Sequence, residues 1–350
     1  MSSKSNVTIQ DVARAANVSV STVSRVLNDK DDVADATYKR VQRTIDELGY
    51  TSSLAARSMR SDHTRVIGLI ALDLDDPFVI ELLKGINDAI QSFGYDLILY
   101  ASGAKAKLSR AEWERRHVSL INGSIADGVI IVTPTAITLP STAPLIAVDP
   151  HKGDTDYPAV IATNRKGARQ MTEYLIQLGH RRIGFIAGRE GLKSAEQRLR
   201  GYKDALNEAG IPFSDYLVEP GDYRRQMGFI SAQKLLNLRP RPTAIFAAND
   251  ESAIGTIEAA RQEGLRIPRD LSVAGFDDLP QAAYLTPSLS TVSQSIPEMG
   301  RIATKRIIRL IDGETLRDRV RQVPTELIIR HSCRPLNQTA SQDIQMRELE

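Results

Sequence analysis

The chain has 350 residues, 42% hydrophobic and 25% charged, with a net charge of +2 and one cysteine. That length supplies two or three domains with buried cores, and the composition excludes wholesale disorder. No apolar run reaches the roughly 18 residues of a membrane helix, the polar start lacks a signal-peptide core, and Cys333 has no internal disulfide partner, so a cytoplasmic protein is expected.

Residues 8–28, TIQDVARAANVSVSTVSRVLN, carry two short helical patterns with almost nothing between them. Thr8 with Asp11 three residues on is a capping-box start, and Ile9, Val12, Ala13 and Ala16 follow at helical spacing. Asn17-Val18 makes the turn, and Ser19 is placed to cap a second helix that points Val23, Val26 and Leu27 inward. Helix, tight turn and helix is the layout whose second helix enters the major groove of DNA. Val20, Ser21 and Arg25 fall on that face, with Thr22 and Ser24 nearby. Charge adds little: up to Arg65 ten bases face eight acids, which is the whole chain's excess. A few placed arginines, doubled in a dimer, must matter more than the sum. After an acidic loop at 29–32, a third helix places Tyr38, Val41, Ile45 and Leu48 on one face and ends at Gly49-Tyr50. Residues 52–60, SSLAARSMR, have Ser53 as a cap but only about two and a half turns, so they form a helix only when supported.

From Arg65 the texture alternates. Strand runs at 66–72, 97–100, 129–132, 145–148, 160–162, 183–187, 244–247 and 271–276 are interleaved with helical patterns at 78–93, 110–121, 166–178, 195–209, 225–238 and 251–263. This means parallel sheets covered on both faces, in two α/β halves. Ligands of such sheets sit beyond the carboxyl ends of the strands. That rule selects Asp73, Asp75, Asp76, Phe78, Thr133, Asp149, Asn249, Asp250, Asp277 and Asp278. Asn, Asp and Arg around an aromatic floor suit a polyhydroxylated ligand, carboxylates accepting and arginine donating in a fork. The plainer roles differ by residue. Asp250 is expected to cap the helix it opens, Asp75 and Asp76 to cap or turn before Pro77, and Asp278 to shape a turn. No nucleophile stands with a base and no Cys or His cluster could hold a metal, so no enzyme activity, metal or cofactor is expected. His63, His117, His151, His180 and His331 read as structural or surface residues, and Trp113 lies on a charged helix outside the cleft.

The 8–28 run, with Glu47-Leu48-Gly49-Tyr50, resembles the DNA-binding domain of the LacI (lactose repressor) family of bacterial transcription regulators, and the resemblance continues along nearly the whole chain. It implies a small all-α helix-turn-helix domain at 1–51 and a hinge helix or linker at 52–62. An α/β two-lobed periplasmic-binding-protein-like core with parallel sheets would follow at 63–333. Its first lobe would span about 66–161 and 292–322, its second about 162–291 and 323–333, with a helix at 297–311 returning to the first and a strand at 324–329 to the second. The tail, 334–350, is expected to be disordered, and it lacks the leucine heptads of tetrameric relatives, so a homodimer is implied.

DNA contacts are implied for Thr8, Val20, Ser21, Thr22, Ser24, Arg25 and Asn28, and in the hinge for Ala56, Met59 and Arg60. Met59, where leucine is usual, would be the apolar wedge in the minor groove. Ala34 stands where a capping serine is usual, so Asp35 is expected to take over as N-cap. Phe78 in DPF, Asp149 in IAVD, Ser194 and Arg198 in SAEQRLRGY, Tyr223 in PGDY, Asn249 in AAND, Asp277 in GFDD and Gln294 in STVSQ match positions that line the effector pocket of sugar-responsive members. Thr133 joins them from its strand end. The implied function is a ligand-responsive repressor of carbohydrate-use genes that binds operator DNA and is released by a sugar. A purine- or amino-acid-responsive corepressor-type regulator stays open. So does a transport-type sugar-binding protein, against which the N-terminal helices argue.

Overall fold

The computed structural model describes residues 7–27, 32–50, 63–101, 109–121, 125–153 and 155–336. The chain divides into two compact units at Thr64/Arg65.

In the N-terminal unit, α1 (Ile9–Ala15) and α2 (Val20–Leu27) are followed by α3 (Asp35–Leu48). Thr8 starts α1 with a full capping box, its N–H donating to Asp11 Oδ2 at 3.0 Å while Thr8 Oγ1 accepts from Asp11 N at 3.4 Å. Asn17 makes the turn at φ 50°, and Ser19 Oγ caps α2 by accepting from Thr22 N at 3.1 Å. Ile9, Val12, Ala13, Ala16, Val23, Val26, Val41 and Tyr50 close a small core. Two expectations fail here. Ala34 occupies the cap position of α3 with no side-chain bond, and Asp35 is already the first helical residue. An aspartate inside the first turn faces the helix dipole favourably but does not reach back to cap it. Leu48 is 37% exposed, because Gly49 turns left-handed at φ 61° and sends Tyr50 into the core instead.

In the larger unit, β1 (Val66–Ile70), β2 (Asp96–Tyr100), β3 (Gly128–Val132), β4 (Leu145–Val148) and β5 (Ala159–Ala162) are all parallel. Ile67 and Leu69 face α4 (Pro77–Phe93), and Val66 and Ile70 face α5 (Arg110–Ile121), so β1 is buried throughout. A strand covered on both faces has no polar side to show, which explains the unbroken apolar runs. The second lobe repeats the plan with β6 (Ile183–Ile186), β7 (Val218–Glu219), β8 (Ala244–Ala247) and β9 (Ser272–Ala274), in the order β7-β6-β8-β9. Helices α6 (Asn164–Gln177) and α7 (Lys193–Glu208) cover one face, α8 (Arg225–Asn237) and α9 (Asp250–Gln262) the other.

The chain then passes a short α10 (Pro280–Tyr284) and β10 (Thr291–Ser293) into α11 (Ile296–Ile311), whose Met299, Ala303 and Ile307 pack into the first lobe's core. The expected single returning strand is two. β11 (Val320–Val323) joins the edge of the first sheet beside β5, and β12 (Glu326–Ile328) pairs antiparallel with β10 in a separate ribbon. Arg334 to Leu336 are not free tail: Arg334 N donates to Ser272 Oγ at 3.1 Å and Leu336 N to Leu178 O at 2.8 Å. The hinge expectations for 52–62, with Ala56, Met59 and Arg60, lie outside the described residues, as do Asn28 and 337–350.

Candidate functional site

On α2 the face opposite the core is open. Val20 is 42% exposed, Ser21 and Arg25 are exposed, and Thr22 and Ser24 are half-buried beside them. Ser19 Oγ lies 2.7 Å from Ser21 Oγ and 2.8 Å from Thr22 Oγ1, fixing two hydroxyls at the helix start. Arg25 pairs with Asp32 at 3.3 Å, but both side chains are 59% exposed. Exposed pairs of this kind contribute about 0–1 kcal/mol, so the guanidinium can leave Asp32 for a base edge at little cost.

In the core the strand ends converge on one cavity of about 50 Å³, lined by Phe78, Thr133, Asp149, Ser194, Arg198, Tyr223, Asn249, Asp277 and Gln294. All nine residues singled out for this role meet there. Asp76, Arg189 and Leu192 line it as well; Asp76 is among the strand-end candidates, with a cap or turn as its plainer role, and sequence reasoning passes over the other two. Asp76 does cap α4, accepting from Phe78 N at 3.0 Å. Arg189 and Leu192 sit in the loop after β6, where no motif marks them.

The backbone at this cavity is strained. Thr133, Asp149, Tyr223 and Asp277 have φ of 45°, 50°, 71° and 120°. Non-glycine residues rarely adopt such angles, and each costs of order 1–3 kcal/mol. The surrounding ladder holds them: Thr133 N donates to Val148 O at 2.8 Å, Asp149 N to Val160 O at 3.0 Å and Asp277 N to Val292 O at 2.8 Å. Thr133 is tethered a second time, since Arg110 Nη2 donates to its carbonyl at 2.8 Å and its hydroxyl at 2.9 Å. Arg110 is itself paired at 3.1 Å with Glu114, which is 2% exposed.

Arg198 is the hub. It is 3% exposed, and its Nε donates to Asn164 Oδ1 at 2.8 Å, its Nη1 to Ala248 O at 2.5 Å and to Asp277 Oδ1 at 3.1 Å. The guanidinium lies 3.8 Å from the Phe276 ring centroid and 5.4 Å from that of Tyr223. Gly201, one turn along α7, makes the seat possible: a Cβ there would overlap the Arg165 carbonyl of α6. Gly188 does the same for Tyr223, whose ring occupies the space its Cβ would take. Gln294 Nε2 donates to Asp277 Oδ1 at 2.6 Å.

Burial pushes the Asp277 carboxyl upward, and the Arg198 cation opposes it. Burial also raises Asp149, against the pull of Arg198 and the Ser194 hydroxyl, and pushes the Tyr223 phenol up to about 12.

Asn249, which lines the cavity as expected, also takes the cap expected of Asp250. Asn249 is the N-cap of α9, accepting from Ser252 N at 3.0 Å while its Nδ2 donates to Tyr223 O at 2.9 Å. Asp250 follows the cap, fully buried, and accepts from Leu279 N at 2.8 Å and Thr291 Oγ1 at 2.5 Å. An amide can donate and accept at once, whereas a carboxylate only accepts, so the carboxylate goes where two donors already point. Asp278 shapes its turn at φ 59° and pairs with Arg330 at 2.7 Å. Trp113 is core and His180 is buried against Thr243 and Ser272, both outside the lining.

Among the described residues, several polar contacts join the lobes across the cleft. Ser194 Oγ donates to Asp149 Oδ2 at 2.9 Å, Lys193 N to His151 O at 3.1 Å, and Arg224 meets Asp73 at 3.4 Å. Among the described residues no group of three His, Cys, Asp or Glu is placed to hold a metal, and no helix is long and apolar enough to cross a membrane.

A helix-turn-helix unit joined to a two-lobed α/β core with a polar interlobe cleft defines a ligand-responsive DNA-binding protein. The family model of the bacterial regulatory proteins, lacI family, matches residues 8–53, and that of the periplasmic binding protein-like domain matches 172–333. The ribose operon repressor of Haemophilus influenzae is 33% identical over 330 residues, which is 93% of this chain and 98% of the repressor. Among solved structures, the lac repressor dimer bound to operator and the anti-inducer ONPF has a TM-score of 0.81 at 26% identity, covering 94% of this chain and 100% of that one. The complex of the transcriptional regulator CelR with cellobiose has a TM-score of 0.69 at 29% identity, covering 93% and 99%. The chain belongs to the LacI family of bacterial regulatory proteins, ligand-responsive transcriptional repressors.

Proposed function

We propose that this chain is a cytoplasmic, non-enzymatic repressor of carbohydrate-use genes, a homodimer that holds operator DNA and releases it when a sugar enters the interlobe cleft. The carrying observation is the closed polar cleft, in which Arg198, Asp277, Asp149, Asn249 and Gln294 are buried around the aromatic residues Phe78 and Tyr223. Carboxylates accept from paired hydroxyls and the guanidinium donates to ring or hydroxyl oxygens, which is the donor–acceptor mix a sugar needs. The CelR–cellobiose relative favours the same ligand class.

At about 50 Å³ the cavity is far below the roughly 300–1,000 Å³ of ligand pockets. The lobes must part for a sugar to enter. A bound sugar then replaces Ser194–Asp149 as the bridge between lobes and sets their angle. Exposed Leu74, Ile80 and Leu99 of the first lobe offer apolar surface for a second copy. A change of lobe angle in a dimer alters the spacing of two reading helices, and the coupling is reciprocal: operator must alter sugar affinity by the same factor.

At the DNA end, Arg25, Ser21 and Val20 read base edges, and Thr8, Thr22, Ser24 and Asn28 hold the backbone. Ala56, Met59 and Arg60 would act at the central step. The test is operator selection from a random duplex pool, followed by anisotropy titration with sugars and, as the second arm, nucleobases. A near-palindromic site released by a sugar is expected. A protein that selects no site, or whose bound site responds to nucleobases and to no sugar, sinks the reading.

A further inference from the structure

Three crossovers join the lobes, and they meet at one point. Thr163 leads from β5 into α6, Gln294-Ser295 from β10 into α11, and Pro324-Thr325 from β11 into β12. Gly167, in the first turn of α6, receives the other two: a Cβ there would lie 2.8 Å from both Thr325 Oγ1 and Val292 Cγ1. Thr163 and Thr325, 162 positions apart, also share a clasp. Their hydroxyls stand 2.9 Å apart, Thr325 N donates to Thr163 Oγ1 at 2.9 Å, and Thr163 N donates to Val323 O at 3.0 Å.

Two of the crossovers reach into the cleft. Asn164, the first residue of α6, is buried; its Oδ1 accepts from Arg198 Nε at 2.8 Å and its Nδ2 donates to Ala162 O, at the end of β5, at 3.3 Å. Gln294, also buried, donates to Asp277 Oδ1, the atom that accepts from Arg198. The Arg198–Asp277 pair is thus held by one amide from each of two crossovers. The third crossover is stapled to the first by hydroxyls, and neither threonine lines the cleft.

We infer that the first turn of α6 is the relay between cleft and hinge. A molecule that shifts Arg198 or Asp277 shifts Asn164 and Gln294 with them, and the Thr163–Thr325 clasp makes the third crossover follow. The three then turn together, as hinge residues at the ends of elements, instead of flexing independently. Asn164 and Thr163 are positioning residues, acting through Arg198 and Thr325 and not on the ligand. Burial suits them to this: a polar group that lost its partner there would find no water to replace it, so the contacts move as a set. The inference rests on the reading above, in which a sugar occupies the cleft, and deepens it.

Two measurements on the full chain test it, and the first needs no ligand. Amide hydrogen exchange is followed at 163–167 and 323–326, relative to β2, in the wild type and in Arg198→Lys. Lysine keeps a cation beside Asp277 but has no Nε for Asn164. Faster exchange in both segments is expected, and a change that stops short of 323–326 would overturn the relay.

The second is the factor by which operator affinity changes on saturation with D-ribose, D-glucose, D-galactose or cellobiose, read by anisotropy. Thr163→Val keeps the shape and removes the hydroxyl; it should lower that factor about fivefold or more, the worth of one hydrogen bond, while Thr163→Ser keeps it. Calorimetry without operator should show sugar affinity moving far less than the coupling, a split that a merely structural threonine would not produce. Thr325→Val should match Thr163→Val, and the double substitution should be no worse than either, because both remove one clasp. Coupling unchanged in both valine variants, or losses that add in the double, would overturn the inference. If none of the four sugars releases operator, the sugar reading loses its support, and the exchange experiment still decides the relay.

Discussion

The two surfaces proposed for recognition in this chain are built in opposite ways. On α2 the proposed reading residues stand out from a core of eight buried side chains, with Val20 42% exposed and Arg25 tied, among the described residues, to an equally exposed Asp32. In the cleft Arg198 is 3% exposed, stacked, triply bonded and surrounded by residues at positive φ. The difference follows from what each surface meets. A DNA duplex is larger than the protein and must come to exposed groups. A small ligand can be enclosed, so its donors and acceptors are desolvated and aimed before it arrives. Removing a reading residue should thus weaken binding with little effect on stability, whereas removing a cleft residue should disturb both.

The largest test of that contrast is Arg198→Ala. It strands Asp277 in the interior without its cation, and breaking a buried pair costs about 3–5 kcal/mol. Urea denaturation should show that loss in the core's transition, together with loss of any sugar-induced melting shift. A destabilisation under about 1 kcal/mol would mean the pair is not the hub described. Arg25→Ala should behave inversely, weakening operator binding by about 1–3 kcal/mol and relaxing sequence preference while stability moves by no more than about 0.5 kcal/mol. Anisotropy on matched and mismatched operators checks it, and equal loss on both would reassign Arg25 to the backbone.

Thr8→Ala removes the capping box and should cost the N-terminal unit about 1 kcal/mol. Faster amide exchange should be confined to α1 and α2, and an equal change in the core would show that the two units do not unfold separately. A last effect is in pH. The His151 folded pKa, about 4, lies below its ordinary 6.5, so between those values the unfolded chain binds more protons. Its contribution is intact above pH 6.5 and is lost as pH falls toward 4. Relative to His151→Gln, the wild type should lose stability over that window, and parallel melting curves would show that His151 titrates normally.

The cleft was legible because α/β sheets put ligands at strand ends, and Thr133, Asp149, Asn249 and Asp277 all follow apolar runs. Arg198 and Gln294 do not, and family motifs alone marked them. Arg189 and Leu192 escaped because a loop after a strand has no period, and nothing in the letters says which loop residues turn inward. That Asn249 rather than Asp250 caps the helix is a tertiary fact: Leu279 and Thr291 supply the donors that hold Asp250, and both are remote in sequence. β7, β10 and β11 were missed because two to four residues carry too little alternation to register, and β11 is a largely exposed edge strand. The strained angles have no sequence signature, since none of those residues is glycine.

The smallness of the cavity also governs speed. With about 50 Å³ inside and Ser194–Asp149 closing it, a ligand can enter only during excursions in which the lobes separate. The association rate should therefore level off at high ligand concentration, at the frequency of opening, and the apparent affinity is diluted by the fraction of time spent open. A cell carrying this regulator would sense its ligand through a shutter: how promptly genes respond is set by how often the shutter lifts, and how long the response lasts by how long it remains shut over its catch.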